Sequence, residues 1–161
     1  MKLRPMLQVN DVEASSRWYQ DVVGLRSGHG GTEFEMLFDG EDFVLQLHRL
    51  DAHEHGVAAA PDDAARGLGV SLWFETADRD AFDTAVERAR GANAVFAAEP
   101  AWNPVAHHHE AALCDLDGYV VMLCSPFGTD AACRRAVPPR GAASASRTTS
   151  DGPSPSRSPP T

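Results

Sequence analysis

The sequence predicts an α+β domain of two βαβββ modules, about residues 1–50 and 67–128, whose curved sheets enclose a shared cavity. Three observations predict it. Each half holds a short apolar run, a polar helix start, an amphipathic stretch and a glycine stop. Each half then holds apolar runs around an Asp-Gly turn, and the stretch Asp39-Gly40-Glu41-Asp42-Phe43-Val44-Leu45-Gln46-Leu47 resembles Asp117-Gly118-Tyr119-Val120-Val121-Met122-Leu123. Apolar patterning ends at Phe127-Gly128, where Pro, Ser, Ala and Arg take over.

In the first half, Leu3 to Val9 alternates loosely as a strand. Asn10 and Glu13 have the spacing of a capping box, so a helix is expected there. Val12, Tyr19 and Val22, flanked by Trp18, give its apolar stripe, and Gly24 is a left-handed stop. Runs at Phe34–Phe38 and Phe43–Leu47 read as strand, turn, strand. In the second half, Gly69 to Glu75 reads as a strand. Asp78 opens a helix whose Phe82, Ala85, Val86 and Ala89 share one face, and Gly91 is its expected end. A short strand at Ala94–Ala97 and a loop through Pro100 and Pro104 precede the run His107 to Cys114. The loop Leu116-Asp117-Gly118, with Gly118 left-handed, then leads into Tyr119–Cys124. Neither half has the material for its own core, so the sheets must share an interior, which is where a ligand would go. Asp51 to Arg66 joins the halves and is long enough for a lid or a crossing segment.

With 43% apolar and 23% charged residues, a single domain of this length buries a proper core. Residues 129–161 hold Val137 as their only large apolar side chain and read as a disordered tail. Five Arg and two Asp make the tail +3, which leaves −12 of the total −9 on the domain. So acidic a body argues against nucleic acid, although a basic tail could touch an acidic partner. Cys114, Cys124 and Cys133 have no metal-ribbon spacing and are expected as reduced thiols. No apolar stretch is long enough for a signal peptide or a bilayer span, so a cytoplasmic location is expected.

The residues Val9-Asn10-Asp11-Val12-Glu13-Ala14-Ser15-Ser16-Arg17-Trp18-Tyr19 with Val23-Gly24-Leu25, and Asp115-Leu116-Asp117-Gly118-Tyr119-Val120-Val121, resemble the two signatures of the vicinal oxygen chelate superfamily. Its members include glyoxalases, extradiol dioxygenases, fosfomycin-resistance enzymes and bleomycin-resistance binding proteins. The resemblance covers residues 3–127 and implies the glyoxalase/bleomycin-resistance fold, often as a homodimer. Its enzymes hold a divalent metal with inward residues of the first and last strand of each half. Those positions fall here on Arg4, Gln46, Ser71 (or its neighbour Val70) and Met122. A divalent ion wants imidazole nitrogen or carboxylate oxygen, and Arg4 would repel it. The departure from the enzyme pattern is what metal-free, antibiotic-binding members look like.

The run His107-His108-His109-Glu110 cannot converge on one ion, because consecutive strand residues alternate faces. With Gly118 left-handed, Glu110 pairs with Cys124 and Ala112 with Met122. His108 and Glu110 then share the side of Met122, and His107 and His109 face away; a slip of one residue reverses this. His108 and Glu110 are either polar lining or a metal pair, and His48 with His53 and His55 is a second conceivable cluster. Glu110 with His108 or His48 could also do acid-base work. Cys124 reads as a buried thiol rather than a nucleophile. Trp73, alternating with Ser71 and Glu75, and Trp102 beside Asn103 offer flat walls for a planar ligand.

The expected function is therefore metal-independent binding or sequestration of a neutral or cationic aromatic metabolite or antibiotic. Met6, Trp73, Trp102, Met122 and Cys124 would form the walls, and Arg4, Gln8, Gln46, His48, Ser71, His108 and Glu110 the polar contacts. The alternative is a lyase, isomerase or dioxygenase-like enzyme, using a relocated divalent metal or Glu110 and His108 as catalytic acid and base.

Overall fold

Each half of the chain contributes one four-stranded mixed sheet and one helix in the computed structural model, which describes residues 2–50, 52 and 66–128. The expected lid at 51–66, with His53 and His55, lies outside the described residues apart from Ala52 and Arg66, as does the tail with Cys133. The elements run β1 (Met6–Val9), α1 (Val12–Trp18) continued by a wider π turn (Tyr19–Val23), β2 (Arg26–Ser27), β3 (Phe34–Asp39) and β4 (Asp42–Arg49). The second half follows with β5 (Ser71–Glu75), α2 (Arg79–Gly91), β6 (Val95–Asn103), β7 (His108–Cys114) and β8 (Val120–Cys124). Strand orders β1-β4-β3-β2 and β5-β8-β7-β6 match position for position, with the first and last strand of each half parallel.

The first helix starts one residue later than the capping-box spacing suggests. Asp11, in extended backbone, accepts from the Ala14 N–H, while the N–H of Asn10 is drawn to Asp117 Oδ1 at 2.9 Å. Gly24 stops the π turn at φ +90°, as expected; a Cβ there would meet Arg88 Cζ at 2.8 Å. Asp78 caps α2 through the Ala81 N–H, but Gly91 stays helical and the left-handed residue is Asn93, at φ +57°. Two strands depart from expectation. β2, only two residues, pairs with Leu37 and Phe38 and has no pattern of its own. β6 runs on through Pro100 to Asn103, because an edge strand with register shifts tolerates a residue lacking an N–H.

The helix-covered faces of the two sheets share one core, in which Leu7, Val9, Tyr19, Leu37, Leu45 and Leu47 meet Leu72, Phe82, Leu113, Val121 and Leu123. Polar rivets cross the same junction. Tyr19 Oη donates to Asp115 Oδ2 at 2.8 Å, Tyr119 Oη donates to the Gln8 carbonyl at 3.1 Å, and Ser15 Oγ donates to Asp117 Oδ2 at 3.1 Å. Among the described residues no helix is long and apolar enough to cross a membrane.

Candidate functional site

Strand alternation leaves each sheet one face turned away from the helices, and these faces carry most of the polar candidates. In the second sheet Glu110 pairs with Cys124 and Ala112 with Met122, the expected register, so His108, Glu110, Met122 and Cys124 share a face with Ser71, Trp73 and Glu75 of β5. There His108 Nε2 lies 2.7 Å from Glu110 Oε2, and Asn103 Nδ2 donates to both carboxylate oxygens at 3.1 Å. The imidazole is fully buried, with the Phe127 ring 4.3 Å and the Trp73 ring 5.9 Å from it. Those two rings are themselves 59% and 50% exposed, so each offers a face to an arriving molecule. The Trp73 indole donates to Ser71 Oγ at 2.8 Å, which fixes its plane.

Burial pushes the Glu110 carboxyl up, but hydrogen bonds from His108 and Asn103 outweigh it and hold the group below its usual range, so Glu110 is ionised at neutral pH. Nε2 of His108 therefore carries the proton of that bond. The Cys124 thiol is pushed up to about 11 by burial, then by Glu75 and Glu110 on either side, which leaves it protonated and a poor nucleophile.

On the open face of the first sheet, Met6 pairs with Gln46 and Gln8 with His48, and Met36 and Phe34 continue the two rows. The His48 ring packs edge-on against Phe34 at 4.6 Å. Between the halves runs an open groove of about 790 Å³. Its walls include Leu3, Pro5, Val44, Trp73, Glu75 and Arg88. Arg88 is engaged: its Nε donates to the Val22 carbonyl at 3.1 Å and its Nη2 to that of Val23. Glu75 and Asp39 are the acids of the lining, at its exposed edge.

The expected ligand residues are thus divided. Ser71 and Trp73 line the groove; Met6, Gln8, Gln46 and His48 share the open face of the first sheet; His108, Glu110, Met122 and Cys124 share that of the second. Trp102 does not join them. It pairs with His109 and its ring lies tilted against that imidazole at 5.0 Å, on the helix-covered side where His109 meets Phe82. The extension of β6 to Asn103 sets Trp102 on that side, apart from the other expected ligand residues. Arg4 lies exposed over the Phe43 ring at 4.8 Å, between the groove residues Leu3 and Pro5. Asn103, Phe127 and the acid of Glu75 were missing from the expected set; only Glu75 was accessible by alternation with Ser71 and Trp73.

Arg4, Gln46, Ser71 and Met122 do not fit the metal of the enzyme members. Their donors are guanidinium, amide, hydroxyl and thioether, the Ser71 hydroxyl already accepts from Trp73, and Ser71 pairs with Val120 rather than Met122. Among the described residues no three His, Cys, Asp or Glu side chains are grouped so as to hold an ion.

Residues 3–123 match the family model described as the Glyoxalase/Bleomycin resistance protein/Dioxygenase superfamily. No curated protein matches the sequence. Among solved structures, a glyoxalase-related enzyme from Fulvimarina pelagi is 18% identical with a TM-score of 0.64, over 78% of this chain and 88% of that one. A glyoxalase/bleomycin resistance protein/dioxygenase family enzyme from Burkholderia phytofirmans PsJN is 22% identical, with a TM-score of 0.62, over 76% and 95%. Lactoylglutathione lyase from Agrobacterium tumefaciens is 17% identical with a TM-score of 0.60, over 78% and 92%. At these identities the likeness is one of fold.

Proposed function

This chain belongs to the Glyoxalase/Bleomycin resistance protein/Dioxygenase superfamily, and on that premise we propose that it binds and sequesters a neutral or cationic aromatic small molecule, a metabolite or an antibiotic, without a metal. The observation that carries the reading is the pairing of an unsuitable metal donor set with a groove of about 790 Å³, lined largely by apolar residues with Trp73 among them. Such a volume suits a drug-sized ligand. Its cation, Arg88, is held by backbone carbonyls, while Glu75 and the −12 domain favour a ligand without negative charge. Working as a cytoplasmic homodimer is part of the same proposal.

The test is elemental analysis of the purified protein, followed by titration with Zn²⁺, Ni²⁺, Mn²⁺ and Fe²⁺ and a thermal-shift screen of small aromatics in EDTA. Sequestration predicts no stoichiometric metal and a rise in Tm with neutral or cationic aromatics that EDTA leaves unchanged. Tight stoichiometric metal, lost on replacing Glu110 or His108, overturns it.

One observation favours an enzyme instead: the 2.7 Å contact between His108 Nε2 and Glu110 Oε2 is the geometry of an acid-base pair. On that reading Glu110→Gln abolishes turnover of a groove ligand and leaves folding intact. Normal turnover by this variant removes the pair from the chemistry.

A further inference from the structure

We infer that the open face of the second sheet holds a subsite for a cationic, N–H-bearing group on the aromatic ligand, such as an aryl amidinium, gripped by Glu110 and Glu75 beside the rings of Trp73 and Phe127. The inference rests on the binding reading above and narrows it to one ligand class.

Glu75 and Glu110 both neighbour Cys124 across adjacent strands, so the two carboxylates stand on one face with a small buried thiol between them. Among the described residues no Lys or Arg pairs with either carboxylate. The one cation-capable contact, His108, donates to a single Glu110 oxygen and orients it, making His108 a positioning residue. A second observation comes from the same imidazole. Its Nδ1 is buried and has no hydrogen-bond partner among the described residues. Because Nε2 is engaged by Glu110, Nδ1 is the one polar atom of this fully buried ring left for a ligand. The Phe127 ring that covers it is more than half exposed, and a ligand ring can displace it.

The chemistry of the ligand follows from this inventory. The two carboxylates accept, and the indole N–H is already taken by Ser71. A molecule settling here must donate. An anion meets two like charges, and a neutral ring without donors strips water from carboxylates and replaces nothing. A planar cation with several N–H groups satisfies the acceptors and lies favourably against both ring faces. Trp73 and Glu75 also line the groove, so the rest of the ligand continues into it.

Calorimetric titration with benzamidine, its neutral isostere benzamide, benzoate and phenyltrimethylammonium tests this. Benzamidine is expected to bind at least about tenfold tighter than benzamide, phenyltrimethylammonium to fall between them, and benzoate not to bind. Glu110→Gln and Glu75→Gln are each expected to weaken benzamidine about tenfold and to weaken benzamide by less. Glu75 is exposed, so its variant folds whatever becomes of the other. Equal affinity for benzamidine and benzamide, or variants that bind benzamidine normally, overturns the subsite and leaves the groove reading standing. Failure of every aromatic probe overturns both.

Discussion

Glu35, 1% exposed on the core face of β3, accepts from Ser27 Oγ at 2.6 Å and from the backbone N–H groups of Gly30 at 2.9 Å and Met36 at 2.8 Å. Glu110 has the same residue type on the equivalent kind of strand but keeps one side open to solvent, which separates a structural carboxylate from one available to a ligand. Burial pushes Glu35 up, yet the Ser27 hydroxyl and the N–H groups of His29, Met36 and Gly28 outweigh it and hold it below the usual range. Its ionised form is thus favoured by folding, so its contribution is complete above the unfolded value of about 4.3 and is lost as pH falls through the lower folded value. Glu35→Gln is expected to cost about 1–3 kcal/mol at pH 7 by urea denaturation, with the gap narrowing once pH drops below about 4. The apolar alternation of Phe34, Met36 and Phe38 gave no sign that Glu35 and Leu37 are the buried pair of β3, and the donors to Glu35 come from a loop that only the closed fold brings near. For the same reason the sequence disclosed that His108, Glu110 and Met122 share a face, and not that Asn103 and Phe127 complete their surroundings.

Helix starts and stops separate local from tertiary information at the level of elements. Asp11 caps α1 with its side chain, whereas Asn10 contributes a backbone N–H to Asp117. Asp11→Ala should therefore lower stability by about 1 kcal/mol, while Asn10→Ala stays within about 0.5 kcal/mol of wild type in chemical denaturation. A reversed order would restore the capping box based on Asn10. Gly24→Ala should destabilise by more than about 1 kcal/mol, since φ is +90° and the Arg88 guanidinium fills the space its Cβ needs. The Gly24 stop and the Asp78 cap were readable because neighbouring residues set them, whereas the move of the α1 cap from Asn10 to Asp11 was not, because the distant Asp117 takes the Asn10 N–H. The two-residue β2 and the passage of β6 through Pro100 were not readable either, because strand pairing rather than composition makes them, and that same extension sets Trp102 beside His109.

The duplicated plan, visible in the sequence, becomes one molecule through the junction at Asp115-Leu116-Asp117. Burial pushes the Asp115 carboxyl up, against hydrogen bonds from Tyr19, Tyr119 and Asp117 that pull it down. Asp117 faces the start of α1 and lies 3.7 Å from the buried Arg66 guanidinium. Asp117→Ala is expected to cost about 3–5 kcal/mol, because it strands that guanidinium and two donors of the first half. A shared core also predicts one unfolding transition, coincident by circular dichroism and by tryptophan emission, with Trp18 in the first half and Trp73 and Trp102 in the second. At Arg4, Gln46, Ser71 and Met122, the positions where the resemblance implies metal ligands, residue type alone was informative. The most direct measurement is a calorimetric titration of benzamidine into protein stripped with EDTA, repeated after loading with Zn²⁺, Ni²⁺, Mn²⁺ and Fe²⁺. Metal-independent binding predicts the same saturable isotherm in every case. An isotherm that appears only when an ion is bound in equal amount to the protein contradicts it.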